Sequence, residues 1–173
     1  MGLLTPQPPI PVTGRPEGSS RRSTVFVTGA AGRVGTALRP FLRANHDLVL
    51  YDCVEPRGVR PEERVVIGDL GEYASVLAGM EGAHAVLHLA CVHGLDLTFD
   101  ASLDVNFRGT MHVLDAAHVL GITRHVYTSS HHVVGQYEQA TFDSTESSYA
   151  PDGHYALGKA FGDLLLHRVA ARH

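Results

Sequence analysis

Residues 24–35, Thr-Val-Phe-Val-Thr-Gly-Ala-Ala-Gly-Arg-Val-Gly, decide the fold. A short β-branched run ends at Thr28, a turn built on Gly29, Gly32 and Gly35 follows, and an amphipathic stretch opens at Arg33 and Val34. Strand, glycine loop and helix in that order make a dinucleotide site. The glycines let the chain turn sharply and let its backbone approach a pyrophosphate, while the free N–H groups and dipole at the helix start favour negative charge. The alternative is a glycine turn that only packs helix on strand. Asp52 ends the next apolar run, about twenty residues after Gly29, where a carboxylate accepts hydrogen bonds from the adenosine ribose and repels a 2′-phosphate. NAD is therefore expected over NADP, a preference that Arg33 and the nearby Arg57 soften.

Outward from that loop, short apolar runs alternate with longer amphipathic ones. Strands are expected at about 24–29, 47–52, 64–68, 84–90 and 124–129, and helices at about 33–45, 72–80, 99–120 and 153–171. Strands that are apolar throughout suit a parallel sheet covered by helices on both faces. The first helix is expected to turn Val34, Ala37, Leu38, Phe41 and Leu42 to the core, with Pro40 kinking it. The last is expected to be capped by Asp152 and to bury Leu157, Ala160, Phe161, Leu164 and Leu165.

Composition narrows the function. The 173 residues carry a formal net charge of −4, which speaks against nucleic acid, since phosphate binding needs a basic face. Residues 1–23 hold five prolines and no periodicity and read as a disordered leader. The prolines break up the continuous apolar stretch of a signal peptide, and no segment has membrane-spanning length, so a cytoplasmic protein is expected. Cys53 and Cys91 give neither a disulfide framework nor metal spacing and read as free buried thiols. The twelve histidines do not suggest a metal: His131 and His132 diverge as neighbours, and His84 and His88 share a strand without a third ligand.

The single lysine, Lys159, follows Tyr155 by four residues in a chain that otherwise uses thirteen arginines. On a helix the two side chains lie one turn apart on one face. An unperturbed phenol, with pKa about 10, is a poor base, and a compact ammonium beside it favours the phenolate. This makes the pair a candidate proton carrier.

Five segments together resemble the extended short-chain dehydrogenase/reductases, the NAD-dependent epimerase/dehydratase family. They are Thr28–Gly35 (TGAAGRVG), Gly68-Asp69-Leu70, His88-Leu89-Ala90, Ser129–Gly135 (SSHHVVG) and Tyr155–Lys159 (YALGK), in family order over about residues 24–171. The resemblance implies a Rossmann doubly wound parallel sheet of about five strands in the order 3-2-1-4-5, with residues 24–173 forming the NAD-binding domain and its catalytic helix. It also implies that Tyr155 is the general base or acid, that Lys159 lowers its pKa and holds the nicotinamide ribose, and that Ser130 orients the reacting oxygen. Asn106 falls where the family supports a proton relay; as a mid-helix asparagine it reads equally as a solvent-facing residue. Asp69 and Leu70 would meet the adenine, although Asp69 is nearly as good a helix N-cap, and Leu89 and Ala90 would lie under the cofactor.

For the substrate, SSHHVVG with Pro151-Asp152-Gly153-His154-Tyr155 and Lys159–Asp163 resembles the uronate dehydrogenase branch. His132 matches the histidine of that branch's Asn-His pair and is expected to contact sugar hydroxyls, His131 stands in place of the asparagine, and His93 in place of a substrate-contacting serine. The implied reaction is NAD-dependent oxidation of a uronic acid at C1 to its lactone. A nucleotide-sugar epimerase or dehydratase, and a non-catalytic NAD-binding module, are the alternatives. Family members continue into a C-terminal substrate region that this sequence does not include. The fifth strand is thus expected as an open edge, and helices 99–120 and 153–171 are expected to pair two chains as a homodimer.

Overall fold

The computed structural model describes residues 22–94, 96–137 and 148–170. The expected leader lies outside them except for its last two residues, and Ser23 already belongs to a strand.

Five strands form one parallel sheet: β1 (Ser23–Thr28), β2 (His46–Asp52), β3 (Arg64–Ile67), β4 (Ala85–His88) and β5 (His125–Tyr127), in the order β3-β2-β1-β4-β5. That is the doubly wound order the family resemblance implies. Alternate side chains serve opposite faces. Phe26, Val49, Tyr51 and Val86 pack under Val76, Met80, Val113, Ala116 and Ala117 on one side. Val25, Val27, Leu48, Leu50 and Leu87 form a second core on the other. The two faces explain why these strands carry no polar alternation.

Helices connect the strands: α1 (Arg33–Leu42), α2 (Tyr73–Met80), α3 (Phe99–Ser102), α4 (Thr110–Val119) and α5 (His154–Ala170). The single helix expected over 99–120 is instead α3 and α4 joined through a π-helical turn, Leu103–Gly109. No helix among the described residues is long and apolar enough to cross a membrane.

Two helices depart from the faces expected of them, although Leu42 of α1 packs against the core and Ala160 of α5 is buried as expected. In α1 the buried residues are Gly35 and Arg39, whereas Val34 is 51%, Leu38 36% and Phe41 75% exposed. Arg39 turns inward because Glu63, also buried, lies 3.7 Å away and the Arg57 carbonyl accepts from its Nη2 at 2.9 Å. In α5 the buried residues are Ala156, Gly158, Lys159, Ala160 and Gly162, while Leu157 and Leu164 are exposed. Small residues win that face because the helix lies almost in contact with its neighbours. A Cβ on Gly158 would sit 2.8 Å from Asn106 Cβ, and one on Gly162 would sit 2.3 Å from the Tyr127 ring. Close approach here carries Lys159 into the interior.

The cysteines also depart from expectation. Cys53 is exposed and Cys91 half-buried, because each lies just beyond a strand end, where the chain leaves the sheet.

Candidate active site

The loops at the carboxyl ends of β1, β2, β4 and β5 converge, as they do at the crevice of an open α/β sheet. Gly29 has φ +69°, a conformation that favours glycine, and a Cβ there would lie 2.7 Å from the Ala90 nitrogen. The β1–α1 turn therefore lies directly on the Leu89–Ala90 backbone. Gly32 caps α1 without a side chain, and the N–H groups of Arg33, Val34 and Gly35 occupy the first turn, where no intrahelical acceptor exists. Asp52 Oδ2 accepts from the Ala31 N–H at 2.8 Å, so this carboxylate fixes the loop at the place expected for a ribose.

Asp69 is exposed, and its Oδ1 accepts from the Gly71 N–H at 2.8 Å. It does not cap α2, whose N-cap is Glu72. Leu70 and Leu89 are buried in the two cores, and Leu70 offers its carbonyl to His112 Nδ1 at 2.8 Å.

At the other end of the crevice, Ser130 begins a 3-10 turn, His131–Val134, and its Oγ accepts from the His132 N–H at 3.3 Å. Tyr155 is half-buried beside it. The His132 ring centroid lies 6.0 Å and the His93 ring 6.3 Å from that of Tyr155, both edge-on. His131 is exposed, its ring 4.2 Å from that of His132. Lys159 is 3% exposed, donates from Nζ to the Thr128 carbonyl at 2.7 Å, and lies over the rings of Tyr127 and Tyr155, at 4.8 and 6.0 Å from their centroids.

The electrostatics differ from the lowered phenol expected of the pair. Burial pushes the Tyr155 phenol above its ordinary value; a hydrogen bond with Ser130 opposes this, and Cys91 raises it further. The Lys159 ammonium donates to a backbone carbonyl and lies 6.0 Å from the Tyr155 ring centroid. Burial lowers the Lys159 ammonium itself, with Cys91 and Asp163 acting in the opposite direction.

Asn106 is 4% exposed, which excludes the solvent-facing reading. Its Oδ1 accepts from the Val92 N–H and its Nδ2 donates to the Val92 carbonyl, both at 2.9 Å. It therefore clamps the loop after β4, the loop that carries Cys91 and His93. It does so from within the π-helical turn, where the wider coil re-aims side chains.

A buried polar chain behind the site went unread in the sequence. His88 Nδ1 lies 2.6 Å from Thr28 Oγ1, its Nε2 lies 3.2 Å from Thr110 Oγ1, and Thr110 donates to the Asn106 carbonyl at 2.9 Å. Burial, then the charges of Lys159 and His125, push the His88 imidazole down to about 3. His84 Nδ1 likewise accepts from the Thr24 N–H at 3.0 Å. Among the described residues no three His, Cys, Asp or Glu side chains group to hold a metal. The only sequence signal for this chain was a histidine between apolar neighbours at the end of a strand.

A model of the NAD dependent epimerase/dehydratase family matches residues 25–173. The chain belongs to that family. Uronate dehydrogenase of Pseudomonas syringae pv. tomato is 36% identical over 141 residues, which cover 80% of this chain and 51% of the relative. L-arabinose 1-dehydrogenase (NAD(P)(+)) of Haloferax volcanii is 32% identical over 161 residues, covering 86% and 62%. The crystal structure of uronate dehydrogenase from Agrobacterium tumefaciens superposes with a TM-score of 0.81 at 30% identity, covering 87% of this chain and 57% of that one. The chain spans about half the length of the curated relatives it matches.

Proposed function

We propose that this family member is an NAD-dependent sugar oxidoreductase that oxidises a uronic acid at C1 to its lactone. The observation that carries the reading is the convergence of Ser130, Tyr155, Lys159 and His132 at the mouth of the crevice that the glycine loop opens. The relatives supply the substrate class, since uronate dehydrogenases of Pseudomonas and Agrobacterium match over about 80% of the chain.

The residues present suit the cofactor. The first-turn N–H groups of α1, at Arg33, Val34 and Gly35, would hold the pyrophosphate. Asp52 would take the adenosine ribose, Asp69 and Leu70 the adenine, and Leu89 and Ala90 would lie beneath the dinucleotide. NAD⁺, when bound, supplies the acceptor for the hydride that leaves C1. Tyr155 takes the proton from the C1 hydroxyl as that oxygen becomes the lactone carbonyl. Ser130 holds the same oxygen, Lys159 would hold the nicotinamide ribose, and His132, with His131 beside it, meets the sugar hydroxyls. Asn106 acts at one remove, by holding Val92 and the loop that sets His93 beside Tyr155.

The exposed Leu157 and Leu164 of α5 and Phe99 of α3 form the apolar surface through which two copies pair. A monodisperse monomer in sedimentation would overturn that pairing.

The test is to mix the protein with NAD⁺ and galacturonate or glucuronate and to follow the absorbance of reduced cofactor. Reduction with either acid is expected. Turnover of nucleotide sugars alone would shift the function to an epimerase or dehydratase, and cofactor binding without any turnover would leave a non-catalytic module.

A further inference from the structure

The carboxylate of Asp152 is not engaged as the helix cap expected of it. Its Oδ2 lies 2.6 Å from Nδ1 of His132. The two segments are also tied through the backbone, by the Asp152 N–H to the His132 carbonyl at 3.4 Å and the Ala150 N–H to the Val133 carbonyl at 2.8 Å. Gly135 leaves the room this contact needs, for a Cβ there would fall 2.1 Å from the same Oδ2. The imidazole so held stands edge-on to the Tyr155 ring, at 6.0 Å.

We propose that Asp152 is a positioning residue that sets the tautomer of His132. The inference rests on the reading of His132 as a sugar contact. An ionised carboxylate only accepts hydrogen bonds, so Nδ1 carries the hydrogen and Nε2, on the far side of a neutral ring, is left as an acceptor. That acceptor receives a hydrogen bond from a hydroxyl of the sugar. The opposite tautomer presents a donor there and leaves Nδ1 bare against a carboxylate. Carboxylates behind functional imidazoles fix tautomer and ring orientation in this way elsewhere.

The test uses the whole chain and two readouts. ¹⁵N-resolved imidazole spectra should show His132 in its Nδ1–H form in the wild type and lose that preference in Asp152→Asn, whose amide can itself donate. In steady-state kinetics, Asp152→Asn should raise KM for the sugar acid on the order of tenfold, as loss of such outer partners does, with KM for NAD⁺ unchanged. Gly135→Ala should reproduce both effects. In a His132→Ala background, Asp152→Asn should cost nothing further, because its whole action runs through the missing ring. An Nε2–H tautomer in the wild type, or an equal loss from Asp152→Asn with His132 already absent, would overturn the proposal. If the wild type oxidises no sugar, the functional reading falls, while the tautomer measurement still decides the role of Asp152.

Discussion

The buried imidazole of His88 makes stability depend on pH in a way that can be calculated. In the unfolded chain His88 titrates near 6.5, whereas in the fold its value drops to about 3. Its folded value is depressed, so the unfolded state binds the proton first, and stability falls as the pH drops from 6.5 towards 3. At pH 7 both states are essentially neutral at this site. At pH 5 the unfolded ring is about 1.5 units below its midpoint and the folded ring is still neutral. At 1.36 kcal/mol per unit that amounts to about 2 kcal/mol, a large share of the ~5–15 kcal/mol that holds a domain together.

The assay is urea unfolding at pH 7 and pH 5, on the wild type and on His88→Gln, a change that keeps a donor and an acceptor between Thr28 and Thr110 but cannot titrate. The variant is less stable at both pH values, because the amide cannot match the ring's spacing. The decisive quantity is the pH 7 to pH 5 difference in each protein, since the other eleven histidines contribute equally to both and cancel. The wild type should lose about 2 kcal/mol more than the variant over that interval. Equal losses, or a His88 ring proton that titrates near pH 6 in NMR, would refute the argument. Either result would mean that water reaches the Thr28–His88–Thr110 chain.

Three other outcomes are expected. Tyr155→Phe should abolish turnover of the sugar acid while leaving NAD⁺ affinity within about twofold, measured by fluorescence titration of the cofactor; retained turnover would remove Tyr155 as the proton carrier. Because the Tyr155 phenol is pushed above its ordinary value of 10.0, its base form is scarce at neutral pH, so kcat/KM for oxidation should climb roughly tenfold per pH unit from 7 to 9. A plateau below pH 8 would show that the cofactor-bound site pulls the phenol down after all. Gly35→Ala places a Cβ 2.4 Å from the Gly29 carbonyl oxygen, which is backbone and cannot yield. Overpacking of this kind costs about 1–3 kcal/mol, and urea unfolding should show it together with weakened NAD⁺ binding.

The five strands, the glycine loop and the Tyr155–Lys159 helix were legible because each rests on a local pattern: alternating apolar segments, glycines after a strand, and an i, i+4 spacing; the order of the strands came from the family resemblance. The faces of α1 and α5 were not. Periodicity finds the apolar stripe of a helix, but it does not say what covers that stripe. In α1 the stripe, except Leu42, faces outward while Arg39 goes inward to Glu63, a partner twenty-four positions away that no period reveals. In α5 the buried side consists of alanines, glycines and a lysine. Hydropathy ranks such residues below leucine, and only the closeness of Asn106 and Tyr127 explains them. The histidines were misleading for the same reason, since those at 84, 88 and 132 each answer to a partner distant in sequence.

The reversal in α5 bears on chemistry as well as packing. Had leucines filled the buried face, the helix would stand away from β5 and the ammonium of Lys159 would not reach the Thr128 carbonyl. Gly158 and Gly162 remove that separation, so that a charged side chain 3% exposed still finds an acceptor at 2.7 Å. A buried cation with an acceptor costs far less than one without, and that acceptor lies at the end of the strand that also delivers Ser129 and Ser130. Ser129 ties back to the same helix, donating to Asp163 at 2.5 Å. The glycines therefore fix how far Lys159 and Tyr155 stand from Ser130. Gly162→Ala, which would place a Cβ 2.3 Å from the Tyr127 ring, should lower kcat for the sugar by more than it lowers cofactor affinity. An equal fall in both, from kinetics and NAD⁺ titration on one preparation, would show that α5 sets the stability of the site and not its geometry.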